Sequence, residues 1–315
     1  MKVFIAGGAG FIGSHFVDHF MVTTDAIVTV FDNFTSGQQW HLRDHAGNKR
    51  LTAIEGDLQK VDAVAAAVRG HDIVYHFASN PDIAKAMTEP DIDFWQGTYL
   101  TQNLLEAMRR GGVPRLVYAS GSGVYGDTGL KPVTEDWAPM LPISTYGASK
   151  LACEALISAY CHMFGLQASA FRFANVVGGR QTHGVAYDFI RKLRRDPRRL
   201  EILGDGTQSK SYVHVSDIVG AIQHVLRTAA AAPFGYYNVA TEDYLDVKSI
   251  ADLVVDEMGL RNVALHFTGG DRGWKGDVPV LRFDLAKIHG LGWRAALTSQ
   301  EAMRRSIREM LGDRP

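Results

Sequence analysis

Short apolar runs alternate with longer segments of helical spacing through the first 175 or so residues of the chain. Lys2 to Ala6, Ala26 to Phe31, Leu51 to Glu55, Asp72 to Phe77, Arg115 to Ala119 and Leu166 to Phe173 have the length and content of buried strands. Between them the pattern predicts helices over Ser14 to about Val22, Lys60 to Arg69, Asp91 to Arg110 and Tyr146 to Phe164. The third carries Leu100, Leu104, Leu105 and Met108 at helical spacing and stops at Gly111-Gly112 and Pro114. Such alternation predicts an α/β fold with a doubly wound parallel sheet. Beyond Gly178-Gly179-Arg180 it breaks down. Ala186 to Arg195 reads as a helix, followed by the loop Gly204 to Gln208 and the stretch Lys210 to His214. The expected division is a first domain over 1–176, with a return of the chain around 213–240, and a smaller carboxyl-terminal region over 177–315.

Composition changes this picture little. The 315 residues carry 33 Lys and Arg against 34 Asp and Glu, a formal charge of −1, so neither a nucleic-acid partner nor an acidic membrane is expected. Six cations between Arg191 and Arg199 form one basic run, with Asp188, Asp196 and Glu201 nearby, and read as a solvated helix face. Cys153 and Cys161 lie eight apart on one expected helix and suit small core residues. The amino-terminal strand begins without a leader pattern, and no apolar run approaches about 18 residues. A cytoplasmic protein is expected. His15 and His19 share a helix face without a third ligand, so no metal is expected, and His76 at a buried strand end reads as core.

The chemistry starts at the end of the first strand. Gly7, Gly10 and Gly13 allow a tight turn, close approach of a pyrophosphate and close helix–strand packing, while Phe11 and Ile12 open a helix whose free amides suit phosphate. Asp32 ends the second strand 19 residues beyond Gly13, where a carboxylate binds ribose hydroxyls and repels a 2′-phosphate. This pattern of a Rossmann sheet favours NAD over NADP. Asn33, Phe34, Ser36 and Gly37 then form the adenosine-side loop, Asp57 and Leu58 reach the adenine, and Phe77, Ala78, Ser79 and Asn80 end the fourth strand in the ligand crevice.

Tyr146 and Lys150 stand four apart, one above the other on a helix. A free phenol ionises only near about pH 10, and an adjacent cation favours the phenolate. The pair suits proton exchange with a substrate hydroxyl. At the end of the fifth strand Ser120 and Ser122 face the nicotinamide side, and Pro132, Pro139 and Pro142 mark the long loop that follows.

The glycine turn, Asp32, Ser120 to Gly126, Tyr146/Lys150 and Arg172-x-x-Asn175 together resemble the extended short-chain dehydrogenase/reductase family. Gly204-Asp205-Gly206, Tyr212 to Asp217 and Gly276-Asp277-Val278-Pro279 resemble its nucleotide-sugar branch, most of all the UDP-galactose (UDP-glucose) 4-epimerases. The resemblance implies a bound NAD, a UDP-hexose substrate, and a homodimer through helices 91–110 and 146–164. It implies that Tyr146 deprotonates the sugar 4-hydroxyl while hydride passes to the nicotinamide, and that the 4-keto sugar turns over before the hydride returns. Lys150 would also bind nicotinamide ribose, and Phe173 would line the cofactor. Asn80, Asn175, Gln208, Lys210, Arg272 or Lys275, and Asp277 would meet the nucleotide sugar, with Lys210 at a position usually held by arginine. His183 could approach the sugar.

Two departures stand out. Gly121 occupies the position of the helper Ser or Thr, leaving Ser122 or Ser120 to replace it. Ser122 is slightly preferred, although strand alternation would face both the same way. Gly97 replaces an Asn that makes a structural hydrogen bond. The alternatives are a nucleotide-sugar 4,6-dehydratase, a C4 dehydrogenase or ketoreductase, and a non-catalytic NAD or nucleotide-sugar binding protein. The dehydratase pattern needs titratable groups where Ser122 and Gly123 stand.

Overall fold

The computed structural model describes residues 1–312. The chain forms two compact units: Met1–Val124 with Thr145–Arg172 and Ala229–Tyr237, and Tyr125–Ser144 with Phe173–Thr228 and the chain from Asn238 onward. The expected division set 1–176, with a return around 213–240, against 177–315; here the returning segment is Ala229–Tyr237, and the proline-containing loop Tyr125–Ser144 groups with the second unit.

The first unit is built on a seven-stranded sheet. Its strands are β1 (Lys2–Ala6), β2 (Ile27–Asp32), β3 (Leu51–Glu55), β4 (Ile73–His76), β5 (Arg115–Gly121), β6 (Gln167–Phe173) and β7 (Phe234–Val239). They lie in the order β7-β6-β5-β4-β1-β2-β3. β1 pairs parallel with β2 and β4, β2 with β3, and β4 with β5. The order therefore reverses between β1 and β4, whose carboxyl ends flank the crevice characteristic of doubly wound sheets. Its helices are α1 (Phe11–Thr23), α2 (Val61–Val68), α3 (Tyr99–Gly111) and α4 (Thr145–Phe164). One core packs Val64 and Val68 of α2, Leu104 and Met108 of α3, and Cys153, Ile157 and Cys161 of α4 against Phe4, Val74 and Leu116. Both cysteines are free and buried.

Two local differences from the sequence pattern matter for the site. The helix expected from Asp91 starts at 92 and passes through a π-helical turn, Phe94–Thr98, before α3. β5 ends at Gly121, and Ser122–Tyr125 turns as a 3₁₀ helix, so strand alternation does not extend to Ser122.

The second unit packs α5 (Val185–Arg195), α6 (Val215–Thr228), α7 (Val247–Glu257) and α8 (Ser299–Gly312) with short strand pairs. Phe189, Ile190 and Leu193 of α5 join Ile250 and Val254 of α7 and Met303 and Ile307 of α8 in its core. The cations of α5 are left on its outer face, as in the exposed Arg191, Arg194 and Arg195. No helix among the described residues is long and apolar enough to cross a membrane.

A buried ion pair fixes α4 to the sheet. Arg172 of β6 and Glu154 of α4 meet at 2.7 Å with side chains 3% and 5% exposed. The Arg172 guanidinium also lies 5.1 Å from the Tyr236 ring centroid. Breaking one half of such a pair strands the other charge, whereas removing both relieves it. Arg172→Leu is expected to destabilise by about 3 kcal/mol or more, and Arg172→Leu/Glu154→Leu by less than the single change. Urea denaturation of the variants checks this, and equal losses in the two would contradict it.

Candidate active site

At the end of β1 the chain turns in space that only glycine fits. Gly7 has φ +77°, and a Cβ there would lie 2.6 Å from the Ala78 amide nitrogen. A Cβ on Gly13 would lie 2.2 Å from the Gly7 carbonyl oxygen. α1 starts directly after Gly10, and no side chain caps it, so the amides of Phe11, Ile12 and Gly13 keep the positive end of the helix open to an anion. A cradle lined by backbone in this way fits the pyrophosphate of a dinucleotide.

Asp32 ends β2 beside this turn and is buried. Burial pushes its carboxyl up, while the amides of Phe34 and Ala9, each 2.9 Å away, pull in the opposite direction. The carboxylate thus braces the glycine turn and the loop after β2 at once. A Cβ on Gly37 would lie 2.7 Å from Asp32 Oδ1, so the loop closes tightly over it. Asn33 Oδ1 accepts from the Thr35 hydroxyl at 2.8 Å, and Phe34 takes φ 54°. The Ser36 carbonyl accepts from Gln38 Nε2 at 3.3 Å. His41, which the sequence pattern does not single out, is buried with Nδ1 2.7 Å from the Ala9 carbonyl.

The neighbouring strand ends converge on the same place. Gly56 donates to the Asp32 carbonyl at 2.9 Å, bringing Asp57 and the buried Leu58 beside β2. Phe77 and Ala78 both donate to the Ala6 carbonyl, at 2.9 and 3.1 Å, and lead into Ser79 and Asn80. Gly7, Asp32, Asp57 and Ala78 therefore stand at the carboxyl ends of four adjacent strands.

α4 presents Tyr146 and Lys150. Lys150 is 5% exposed, and its Nζ donates to the Ala119 carbonyl of β5 at 2.8 Å. The ammonium lies 5.1 Å from the Tyr118 ring centroid and 5.5 Å from that of Tyr146. Below it His76 is held down at about 3 by burial and then by the Lys150 charge, so it is a neutral core group. Its Nε2 is 3.0 Å from the Thr101 hydroxyl.

The two candidate serines differ sharply. Ser120 is buried, and its hydroxyl donates to Glu154 Oε1 at 2.5 Å, in the cluster completed by Arg172. Ser122 is half-buried on the 3₁₀ turn, and no hydrogen bond engages its hydroxyl among the described residues. A Cβ on Gly121 would meet no atom within 4 Å, whereas one on Gly123 would lie 3.3 Å from Gly147 Cα.

In the second unit Asn175 opens a short strand beside Tyr212–His214, and its amide donates to the Ser211 carbonyl at 3.2 Å. Gln208 is 3% exposed, and both atoms of its amide are buried without a partner. Lys210 Nζ lies 2.6 Å from Asp277 Oδ1, and the Gly273 amide donates to Asp277 Oδ2 at 3.2 Å. Arg272 donates to the Asp277 carbonyl at 2.5 Å and to Asp127 Oδ2 at 2.6 Å. Lys210–Asp277 and Arg272–Asp127 are thus two ion pairs, joined through the Asp277 backbone carbonyl. Lys275 and His183 lie exposed, and Phe173 is buried where β6 ends. Asn80, in the first unit, commits its amide to Asp82 and Asp93.

The sequence and the fold both match known proteins. The profile of the NAD dependent epimerase/dehydratase family matches residues 3–240. The UDP-glucose 4-epimerase of Corynebacterium glutamicum is 29% identical over 274 residues, covering 82% of this chain and 81% of that one. A crystal structure of UDP-galactose 4-epimerase superposes with a TM-score of 0.87 at 38% identity, over 98% of both chains. A double mutant of DesIV, the dTDP-glucose 4,6-dehydratase of Streptomyces venezuelae solved with NAD bound, superposes with a TM-score of 0.89 at 27% identity, over 98% of this chain and 96% of that one. The chain accordingly belongs to the NAD dependent epimerase/dehydratase family, within the extended short-chain dehydrogenases/reductases, and is an NAD-dependent enzyme of nucleotide-sugar chemistry.

Proposed function

We propose that the protein is a UDP-hexose 4-epimerase, acting on UDP-glucose and UDP-galactose as a cytoplasmic homodimer that retains its NAD. One observation carries the reading: Tyr146 stacks over a buried ammonium beside the end of β5, after which no hydrogen bond engages the Ser122 hydroxyl among the described residues. That equipment suits reversible oxidation at one carbon.

When bound, NAD supplies the reversible two-electron oxidant for sugar C4. The glycine turn and the α1 amides would hold its pyrophosphate, and Asp32 its adenosine ribose. Tyr146 Oη takes the proton of the sugar 4-hydroxyl and later returns it. Lys150 stabilises the negative charge that develops on that oxygen, and its own position is held by the Ala119 carbonyl. With Ser120 tied to Glu154, Ser122 is the hydroxyl that replaces the helper missing at Gly121. Lys210 and Arg272 would take the diphosphate, with Asp277, Asn175 and Gln208 around the nucleotide. The unpartnered Gln208 amide is what a buried group costs unless a ligand engages it.

A 4,6-dehydratase also oxidises C4 but must then remove water, which needs an added acid and base. The corresponding positions are Ser122 and Gly123, and Gly123 packs on the Gly147 backbone, where a larger side chain would press on α4. The homodimer reading rests on α3, α4 and the π-helical turn before them. There Phe94, Trp95, Met163 and Phe164 are 51%, 46%, 72% and 47% exposed.

Tyr146→Phe is expected to cut epimerisation of UDP-glucose by a factor of about 10² or more. Ser122→Ala should lower turnover without loss of stability, while Ser120→Ala should mainly lower the melting temperature by releasing Glu154. Coupled assays and thermal melts check both. Turnover within about tenfold of the parent in Tyr146→Phe, or a larger catalytic loss in Ser120→Ala than in Ser122→Ala, would refute the assignments. Sedimentation at micromolar concentration should give a dimer, and a monomer would refute the assembly.

A further inference from the structure

Asp93 precedes the π-helical turn and is 2% exposed. Each of its side-chain and carbonyl oxygens accepts a hydrogen bond. Oδ2 accepts from the Thr145 hydroxyl at 2.7 Å, Oδ1 from Asn80 Nδ2 at 2.9 Å, and the carbonyl from the Ser149 hydroxyl at 2.7 Å. Thr145 and Ser149 are four apart on the first turns of α4, on one face, and Tyr146 lies between them. Asn80 is itself fixed, for its Oδ1 accepts from the Asp82 amide at 3.0 Å and its Nδ2 donates to the Asp82 carbonyl at 2.9 Å.

We infer that Asp93 is a positioning residue for Tyr146, gripping the start of α4 through Thr145 and Ser149 and referring it to the end of β4 through Asn80. A carboxylate suits the place, since hydrogen bonds to an ionised acceptor are the stronger kind and the amino end of a helix favours negative charge. Gly97 makes the grip possible. A Cβ there would lie 2.3 Å from Ser149 Oγ, so the hydroxyl fills the space that a side chain at 97 would take. From there Ser149 reaches the Asp93 carbonyl and stands 2.9 Å from the Thr98 hydroxyl.

The proposal rests on Tyr146 acting as the proton acceptor, and its test separates the two claims. Thr145→Val keeps the shape and removes the donor, while Thr145→Ser keeps the donor. Misplacing a reacting group by about 1 Å costs on the order of 10²-fold, so Thr145→Val is expected to lower kcat about 10- to 100-fold with KM nearly unchanged. Thr145→Ser should restore kcat to within about threefold of the parent. Amide hydrogen exchange over residues 146–150 should accelerate in Thr145→Val and not in Thr145→Ser, a result independent of which sugar is the substrate. If Thr145→Val does not fold, Ser149→Ala takes its place with the same expectations. Unchanged kcat, an equal loss in Thr145→Ser, or unchanged exchange over the turn would overturn the proposal. A parent inactive on every UDP-hexose, with exchange altered as expected, would overturn the proposed reaction and leave the grip of Asp93 standing.

Discussion

The geometry of the candidate site depends on one buried charge. Taking the Lys150 ammonium out of water costs several kcal/mol unless protein groups replace its hydration. The Ala119 carbonyl and the faces of Tyr118 and Tyr146 do so. Two of these three belong to β5 and the third to α4, so satisfying the charge fixes the register of the helix on the strand. The Glu154–Arg172 pair repeats the constraint one turn later, and Asp93 repeats it one turn earlier. The backbone that carries Tyr146 is thereby held on both sides.

The same economy of groups assigns the hydroxyls. A carboxylate on α4 beside β5 needs partners, and Ser120 supplies one. Ser122 escapes because the strand ends before it and the chain turns. In the second unit the cations suited to a diphosphate are also partnered within the chain. Lys210 and Arg272 are held by Asp277 and Asp127, so a ligand that displaces those contacts meets side chains already placed.

Much of this was legible in the sequence where the requirement is local. The glycine turn, Asp32 and Tyr146/Lys150 declare themselves by spacing, because a tight turn, a strand end and a helix face are each defined within a few residues. The sheet followed from the alternation of apolar runs. What stayed hidden depends on residues far apart in the chain. Nothing near Asp93 signals that it meets Thr145, 52 positions on. His41 against Ala9 and Ser120 against Glu154 are of the same kind. The π-helical turn and the 3₁₀ turn at Ser122–Tyr125 were hidden too, since periodicity describes a regular element better than its ends. The grouping of Tyr125–Ser144 with the later chain was not legible, since residues distant in the sequence decide it.

The central claim is that oxidation at C4 is transient and is reversed on the same sugar. The fate of deuterium at C4 of UDP-glucose tests it most directly. After incubation with the purified protein and separation of the products, the account predicts UDP-galactose that carries the label at C4, with none replaced by solvent hydrogen. Loss of the label to the medium, or its recovery in a 4-keto-6-deoxy sugar, would contradict it.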